Sequence, residues 1–470
     1  MALIGRRSFI SRALALLVAT PASAFAKALG YPRLLEGPMV GAVGPDHLTI
    51  WSRASGVFDV QVEYATDRSF RDARTTPAVR PTADGDLCTA IRIEGLRPGG
   101  TYFYRMRLDG VLDRHAPVAF RTRTAPAGPS DFRVAFGSCC RIQLDPEQLV
   151  FSAIAEQEPD LFFWLGDNIY CDSDDAAAMA DLYGRQRSTP RLQPLLRRTP
   201  QLAIWDDHDY GYNNGDRHSP FRAQALRVFR NFWANPAYGL PETPGCFFKY
   251  AYGGVDFFFL DGRYHRDAPK APDGPSKTML GEGQKRWLKA ELKASRAPFK
   301  VLISGTGWST ADMPGDSWSA FQRERNELFD FIRDENITGV FGLSGDQHLG
   351  ELNCIPWSEK GGYDFYDLTS SGLAQNINDD WPDQAPEVRI REVYSKGYNF
   401  GMLEFRMGAE PSVTLNVHDV LGGPVWDPLT LTPADLRNGV KSWERTIDPK
   451  QHVRLRRFRA GGAYFGPDRP

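Results

Sequence analysis

Side chains that can bind metal ions follow a short apolar segment near the middle of the chain. Residues 161–165 are bulky and apolar, and Gly166, Asp167 and Tyr170 come directly after them. Such a run predicts a strand buried on both faces, and open α/β sheets hold their ligands at the carboxyl ends of such strands. The carboxylate of Asp167 and the phenol oxygen of Tyr170 lie close enough along one loop to reach a single metal ion.

Other predicted strands end in the same kinds of side chain. They are residues 132–136 before Cys139, residues 202–205 before Asp207 and His208, and residues 340–343 before Asp346 and His348. Because the carboxyl ends of parallel strands meet at one edge of a sheet, we expect these side chains to lie together. Helix capping alone does not explain why so many strand ends, called tips below, carry side chains of this kind. The pattern indicates an α/β sandwich with a ligand site at one rim.

The donors at these tips differ in hardness. The thiolate of Cys139 is soft, the imidazole of His348 is intermediate, and the phenolate of Tyr170 and the carboxylate of Asp167 are hard. Together they suit iron, and the anionic oxygens favour its ferric form. This set therefore predicts an iron site.

A second set consists of oxygen donors alone. Asp167, Asp207 and Asp346 together suit calcium, magnesium or manganese, and Asp167 can bridge the two ions. Two neighbouring metal ions clamp a phosphoryl group and activate water for in-line attack. The sequence therefore indicates hydrolysis of phosphate esters.

Three further side chains are candidates for direct contact with the phosphate ester during hydrolysis. His208 can protonate the leaving oxygen, and Arg141 and Arg263 can hold the phosphate oxygens. For Arg263 a structural role, an ion pair with Asp261, is the alternative.

Elements that alternate between strand and helix extend over residues 131–440 and predict the sandwich domain that carries these tips. Residues 181–196 are predicted to form one helix, and residues 401–407 and 412–417 two closing strands. Residues 31–125 contain alternating strands and a Leu-x-Pro-Gly turn at residues 96–99, which predict an all-β domain like an immunoglobulin or fibronectin type III sandwich.

The composition is that of an ordinary two-domain globular protein. The chain has 470 residues, 42% of them hydrophobic and 24% charged, with a formal net charge of −2. This charge argues against a general nucleic-acid binder. Beyond residue 30 no apolar run approaches the length of a membrane span, so the mature protein is expected to lack an integral membrane segment.

Both ends of the chain have distinct patterns. Residues 1–26 contain Arg6-Arg7, a short apolar core and an A-x-A site, which predict a signal peptide of the twin-arginine type. We therefore expect the twin-arginine export machinery as a partner and a periplasmic or secreted protein. Residues 441–470 form a tail with a basic run, which is expected to attract anionic substrate.

The pairing of the six cysteines cannot be deduced from their spacing.

The order of the motifs resembles a known family. Gly-Ser-Cys139, Gly-Asp167-x-x-Tyr170, Trp-Asp-Asp207-His208-Asp, Leu-Asp-x-Arg263 and Ser-Gly-Asp346-x-His348 resemble the PhoD-like alkaline phosphatases. That family is similar to the purple acid phosphatases within the calcineurin-like metallophosphoesterases. The resemblance implies two mixed β-sheets flanked by helices, preceded by an immunoglobulin-like domain.

The same resemblance implies a metal assignment. A ferric ion would be held by Cys139, Asp167, Tyr170 and His348, and a calcium ion by Asp167, Asp207 and Asp346. His208 and Arg141 would contact the phosphate. The expected activity is hydrolysis of phosphate monoesters, diesters or both. The alternatives are a phospholipase D-like phosphodiesterase and, from another class, a non-catalytic surface-binding protein.

Overall fold

A computed structural model describes residues 31–113, 119–308, 316–379 and 388–452. The predicted signal peptide, residues 1–26, and the larger part of the predicted basic tail, residues 453–470, lie outside the described residues. None of the helices in the described ranges is long and apolar enough to cross a membrane.

The first part of the described chain consists of strands that form two antiparallel sheets. The strands are β1 (Leu34–Val43), β2 (Leu48–Ala54), β3 (Val60–Ala65), β4 (Arg74–Thr75), β5 (Cys88–Ile93), β6 (Thr101–Leu108), β7 (Val111–Leu112) and β8 (Phe120–Arg123). One sheet has the order β1-β2-β5 and the other β4-β3-β6-β7, with β8 also paired to β6. Side chains of β6 alternate between buried and partly exposed, as expected for a strand with one face on a core. An immunoglobulin-like or fibronectin-like domain over residues 31–125 stays a prediction.

The second part contains two six-stranded sheets. Their strands are β9 (Phe132–Gly137), β10 (Leu161–Leu165), β11 (Gln201–Ile204), β12 (Phe248–Tyr252), β13 (Val255–Phe259), β14 (Lys300–Ile303), β15 (Val340–Ser344), β16 (Gly350–Ile355), β17 (Phe365–Ser370), β18 (Asn399–Arg406), β19 (Ser412–Asp419) and β20 (Leu429–Leu431). The orders are β11-β10-β9-β18-β19-β20 and β12-β13-β14-β15-β17-β16. Each sheet has parallel strands in one part and antiparallel strands elsewhere, so both are mixed as predicted.

Helices lie between these strands along the chain, and the last helix follows β20. They are α1 (Val150–Glu156), α2 (Ala176–Arg187), α3 (Gln193–Arg198), α4 (Asp207–Tyr210), α5 (Arg222–Phe232), α6 (Gly281–Ala294), α7 (Gln322–Asp334) and α8 (Trp443–Thr446). The prediction of one helix over residues 181–196 is wrong. Pro190 lacks an amide hydrogen and keeps Thr189 extended (φ −55°, ψ 122°), so α2 ends before it and α3 begins after it.

Helix α3 joins the first part of the chain to the second. The hydroxyl of Tyr104 on β6 donates to the carbonyl of Arg197 at 2.7 Å, and that of Thr122 on β8 donates to the carbonyl of Arg198 at 3.0 Å. All these groups are at least partly buried. The N-terminal sheets are therefore held against the second part by hydrogen bonds as well as by packing.

Aromatic side chains fill the space between the two mixed sheets. The ring of Phe163 on β10 meets Phe257 and Phe259 on β13 edge-on, at centroid distances of 5.0 and 4.9 Å. Phe163 is fully buried. Because β10 leads directly to Asp167, this packing also fixes the position of the loop that carries Asp167 relative to the core.

We expect Phe163→Ala to lower the free energy of unfolding by about 3–5 kcal/mol, because it removes a buried ring and leaves a cavity between the sheets. Urea unfolding followed by circular dichroism measures the change. Leu421→Ala is the control, because Leu421 is 79% exposed and its truncation should have almost no effect. Equal unfolding midpoints for the two variants would contradict this account of the core.

Candidate metal centre

Metal-binding side chains from the tips of β9, β10, β11 and β15 form two groups. Cys139, Asp167 and His348 each offer one ligand atom, and these atoms lie within 4.8 Å of one another. Asp167, Asp207 and His208 form a second group by the same measure. Asp167 belongs to both groups, so a single buried carboxylate connects them.

Tyr170 joins the first group. Its hydroxyl donates to Asp167 Oδ2 at 3.0 Å and lies 3.2 Å from His348 Nε2. The thiol of Cys139 contacts the same carboxylate oxygen at 3.5 Å. The residues predicted for an iron site are thus in mutual contact.

The structure does not place Asp346 in either group. Its Oδ2 accepts hydrogen bonds from Thr306 Oγ1 at 3.2 Å and from Gln347 Nε2 at 3.1 Å. Burial above all, and then the charges of Asp316, Asp206 and Asp207, raise the pKa of Asp346 well above the ordinary value. Asp346 therefore lies near the same anionic region.

The backbone at the tips is strained. Cys139, Asp167, Asp346 and His348 have φ angles of 59°, 50°, 71° and 58°, in the left-handed region that side chains other than glycine rarely adopt. Hydrogen bonds between tips hold this conformation: Cys140 N donates to the carbonyl of Asp167 at 2.8 Å. Such strain concentrates at functional sites, where the surrounding fold imposes it.

Gly166 is required where β10 approaches β11. Its φ is 98°, and a Cβ atom here would lie 2.5 Å from Cβ of Asp206. A side chain at this position would push apart the two tips that carry Asp167 and Asp207.

The donors are hard to ionise where they stand. Burial, then the charges of Asp207 and Cys139, raise the pKa of Asp167 well above its usual range. Burial and the charge of Asp346 raise the pKa of Cys139 to about 12. Burial, followed by the charge of His208, lowers the pKa of His348 to about 4, so its imidazole is neutral and able to bind a metal at pH 7.

Asp207 differs because a cation lies near it. Burial alone would raise its pKa, but the charges of Arg263 and then His208 lower it to about 2. Within the described residues, no Lys or Arg forms an ion pair with Asp167. The buried groups thus contain a thiol, a phenol, imidazoles and carboxylates with little positive charge nearby. Such a set of donors suits metal ions.

His208 and Arg141 border this centre. The Nδ1 atom of His208 lies 2.5 Å from Asp172 Oδ1, and its ring lies 4.1 Å from the ring of Tyr170. Its Nε2 atom makes no hydrogen bond to the described part of the chain. The guanidinium of Arg141 lies 5.5 Å from the centroid of the Tyr170 ring, and it forms no ion pair with any residue in the described ranges.

Arg263 is placed differently from the prediction that it holds phosphate. It is fully buried, and its Nε donates to Asp206. Its Nη1 and Nη2 atoms donate to the carboxylate of Asp316 at 2.9 and 2.8 Å, and Nη2 lies 3.9 Å from Asp207. The guanidinium is therefore engaged by the carboxylates of Asp206 and Asp316. The alternative, an ion pair with Asp261, is not formed, because Asp261 accepts from the backbone amide of Arg263 at 2.9 Å and not from its guanidinium.

Sequence reasoning missed Asp172, Asp206 and Asp316. Asp172 belongs to an acidic run, residues 172–175, within which no pattern distinguishes one member. Asp206 precedes Asp207 directly, and burial above all raises its pKa to about 7. Asp316 contacts Arg263 across a separation of 53 residues, for which the sequence carries no local signal.

Replacing Asp167 with Asn should remove bound metal from both groups. The amide keeps the shape but not the charge, and even outer partners of metal ligands change metal affinity by roughly 10–100-fold. Metal per chain, measured by mass spectrometry after dialysis, should therefore fall strongly.

Asp175→Asn is the matched control. Asp175 is exposed and caps α2 through a hydrogen bond to Ala177 N, a role that Asn performs equally well. A metal content that is the same in Asp167→Asn as in Asp175→Asn would contradict the shared-carboxylate assignment.

Comparison with known proteins agrees with this architecture. Residues 134–377 match the family described as PhoD-like phosphatase, and residues 20–126 match the PhoD-like phosphatase N-terminal domain. The first match includes every predicted metal ligand from Cys139 to His348.

One curated relative is alkaline phosphatase D of Bacillus subtilis (strain 168). The chain is 27% identical to it over 364 residues, which cover 65% of this chain and 61% of that protein. The match therefore spans about three fifths of the relative's length.

Two solved structures share the fold. The structure of PhoD superposes with a TM-score of 0.71 and 19% identity, covering 90% of this chain and 97% of that one. A purple acid phosphatase from yellow lupin (Lupinus luteus) seeds superposes with a TM-score of 0.62 and 15% identity, covering 86% and 74%. These likenesses establish the metallophosphoesterase fold with its mixed sheets.

Proposed function

The chain belongs to the PhoD-like phosphatase family, and on that premise we propose that it is a metal-dependent phosphohydrolase that releases phosphate from esters by attack of water. The observation that carries the proposal is the position of Asp167, shared by two buried donor groups beside His208 and Arg141. A binding protein without catalysis would have no need of this anionic cluster and its strained backbone.

The metal assignment follows the donor types. Cys139, Asp167, Tyr170 and His348 would hold a ferric ion, and Asp167, Asp207 and Asp346 would hold calcium. When bound, these ions supply positive charge for the phosphate oxygens and make a water molecule acidic enough to attack. The all-oxygen character of the second set supports calcium over zinc.

His208 protonates the leaving oxygen. Asp172 lies against Nδ1 and fixes the orientation of the ring, so Nε2 is the atom that carries the proton toward the ester. The ring of Tyr170 against one face of the imidazole limits its rotation.

Arg141 and Arg263 have different roles. Arg141 is half-buried beside Tyr170, and its guanidinium, which forms no ion pair with the residues that the structure describes, can bind the non-bridging phosphate oxygens. Arg263 holds Asp206 and Asp207 in position through its guanidinium and does not contact substrate. Its charge keeps Asp207 ionised.

Export through the twin-arginine machinery to the periplasm or the exterior is part of this proposal. The predicted signal in residues 1–26 supports it. A route that carries folded proteins suits an enzyme that must take up metal before export.

The test compares hydrolysis of a nitrophenyl phosphate monoester, its methyl diester and an alkyl phosphate monoester by metal-loaded protein. Faster cleavage of monoesters identifies a phosphatase, and faster cleavage of the diester identifies a phosphodiesterase of the phospholipase D-like kind. If the metal-loaded protein hydrolyses none of the three, the proposed function is wrong.

The same assay tests the role of His208. We expect His208→Ala to slow the alkyl ester by about 10²–10⁴-fold, because its leaving oxygen needs a proton. Nitrophenolate leaves without one, so that substrate should lose far less. Asp172→Asn should lower kcat in the same selective way but less severely, and leave KM nearly unchanged. Equal losses on both leaving groups would contradict the assignment.

A further inference from the structure

A polar cleft lies at the opposite end of the strands from the metal centre. It has a volume of about 330 Å³ and is lined by Arg133 where β9 begins, by Asp160 just before β10 and by Pro200 just before β11. The predicted metal ligands follow the other ends of these parallel strands. The cleft and the metal centre are therefore separate places on the molecule.

Two arginines of β8 form one wall of this cleft. Arg121 and Arg123 are exposed, whereas Thr122 between them is buried and donates to the carbonyl of Arg198. Alternate residues of a strand point to the same side, so both guanidinium groups project on the face opposite Thr122, from Cα atoms about 6.6 Å apart. Neither forms a hydrogen bond or an ion pair with any residue of the described ranges.

Positive charge exceeds negative charge in the cleft. Arg121, Arg123, Arg133 and Arg198 line it together with Glu158 and Asp160, which leaves a surplus of two positive charges. Of the two acids, Glu158 pairs with Arg198 at 2.6 Å, and Asp160 accepts from the backbone amide of Arg133 at 2.9 Å. Arg121 and Arg123 on β8 form no ion pair with either of these acids.

The charges of several of these arginines affect the pKa of neighbouring residues in the cleft. The pKa of Glu158 is lowered first by its hydrogen bond with Arg198 and by that charge, and then by the charges of Arg133 and Arg121. The charge of Arg123 opposes the raised pKa of Tyr252, which is caused first by burial and then by Asp160. Arginines from β8, β9 and α3 therefore act on one small volume.

We propose that this cleft is a second anion-binding site, for a ligand that carries two or more phosphate groups on one backbone. The planar fork of each free guanidinium matches a tetrahedral oxyanion, and the spacing along β8 suits one phosphate per arginine. Glu158 and Asp160 repel a single small anion, so binding requires several phosphates at once. Among the described residues that line the cleft, Tyr252 alone is aromatic. Its ring is 8% exposed and provides no stacking surface, which favours phosphates over nucleic-acid bases.

The test uses myo-inositol hexasulfate, which offers tetrahedral oxyanions that a phosphatase does not cleave. Isothermal titration calorimetry on the metal-loaded protein should show saturable binding. Arg121→Ser/Arg123→Ser should weaken binding by about tenfold or more, because two charge-assisted contacts are lost. Both side chains are exposed and have no ion-pair partner in the described part of the chain, so the fold should be unaffected. Hydrolysis of the nitrophenyl monoester serves to check this.

A matched pair controls for general surface charge. Arg71→Ser/Arg74→Ser removes the same charge from exposed positions at and beside β4, away from the cleft, and should leave the affinity unchanged. Absence of binding to the wild-type protein, equal loss in both pairs, or unchanged affinity in Arg121→Ser/Arg123→Ser would each overturn the proposal. Tighter binding of benzene hexacarboxylate than of the hexasulfate would overturn the assignment to phosphate.

Discussion

The burial of one shared carboxylate is the constraint on which the site depends. Asp167 contacts Cys139 and Tyr170 on one side and lies beside Asp207 and the backbone of His208 on the other. Taking several acidic donors out of water is costly unless cations accompany them. Arg263 supplies one charge near Asp207, and its other contacts are with Asp206 and Asp316. We assign to the metal ions the compensation of the remaining negative charge.

The fold provides this arrangement through the ends of its parallel strands. β9, β10 and β11 are adjacent and in register, so their tips meet at one edge, and β15 brings a further tip from the facing sheet. The left-handed residues at these tips are unfavourable by themselves, and a well-packed aromatic core below and hydrogen bonds between the tips maintain them. The proposed anion cleft uses the opposite ends of the same strands, where β8 adds arginines from the N-terminal sheets.

Much of this could be predicted from local patterns. Five apolar residues in a row before Gly166 suffice to predict β10 and the loop that carries Asp167. β16 and β17 escaped prediction because they contain buried polar residues: Asp367 accepts from Ser344 at 2.9 Å, and Glu351 lies 3.3 Å from Arg389. These polar residues interrupt the apolar run by which a strand buried on both faces is recognised. The partners of Arg263 and His208 are equally hidden, since Asp316 and Asp172 meet them only through the tertiary fold.

Anomalous diffraction from crystals of the protein as purified, recorded on both sides of the iron absorption edge, tests the central claim most directly. We predict an iron peak in contact with Cys139, Asp167, Tyr170 and His348, and a second cation, without an iron signal, on the Asp207 side of Asp167. An iron peak elsewhere, or a metal ion that does not touch Asp167, would contradict the account. The same map shows whether Asp346 turns from Thr306 toward the second ion, as the calcium assignment requires.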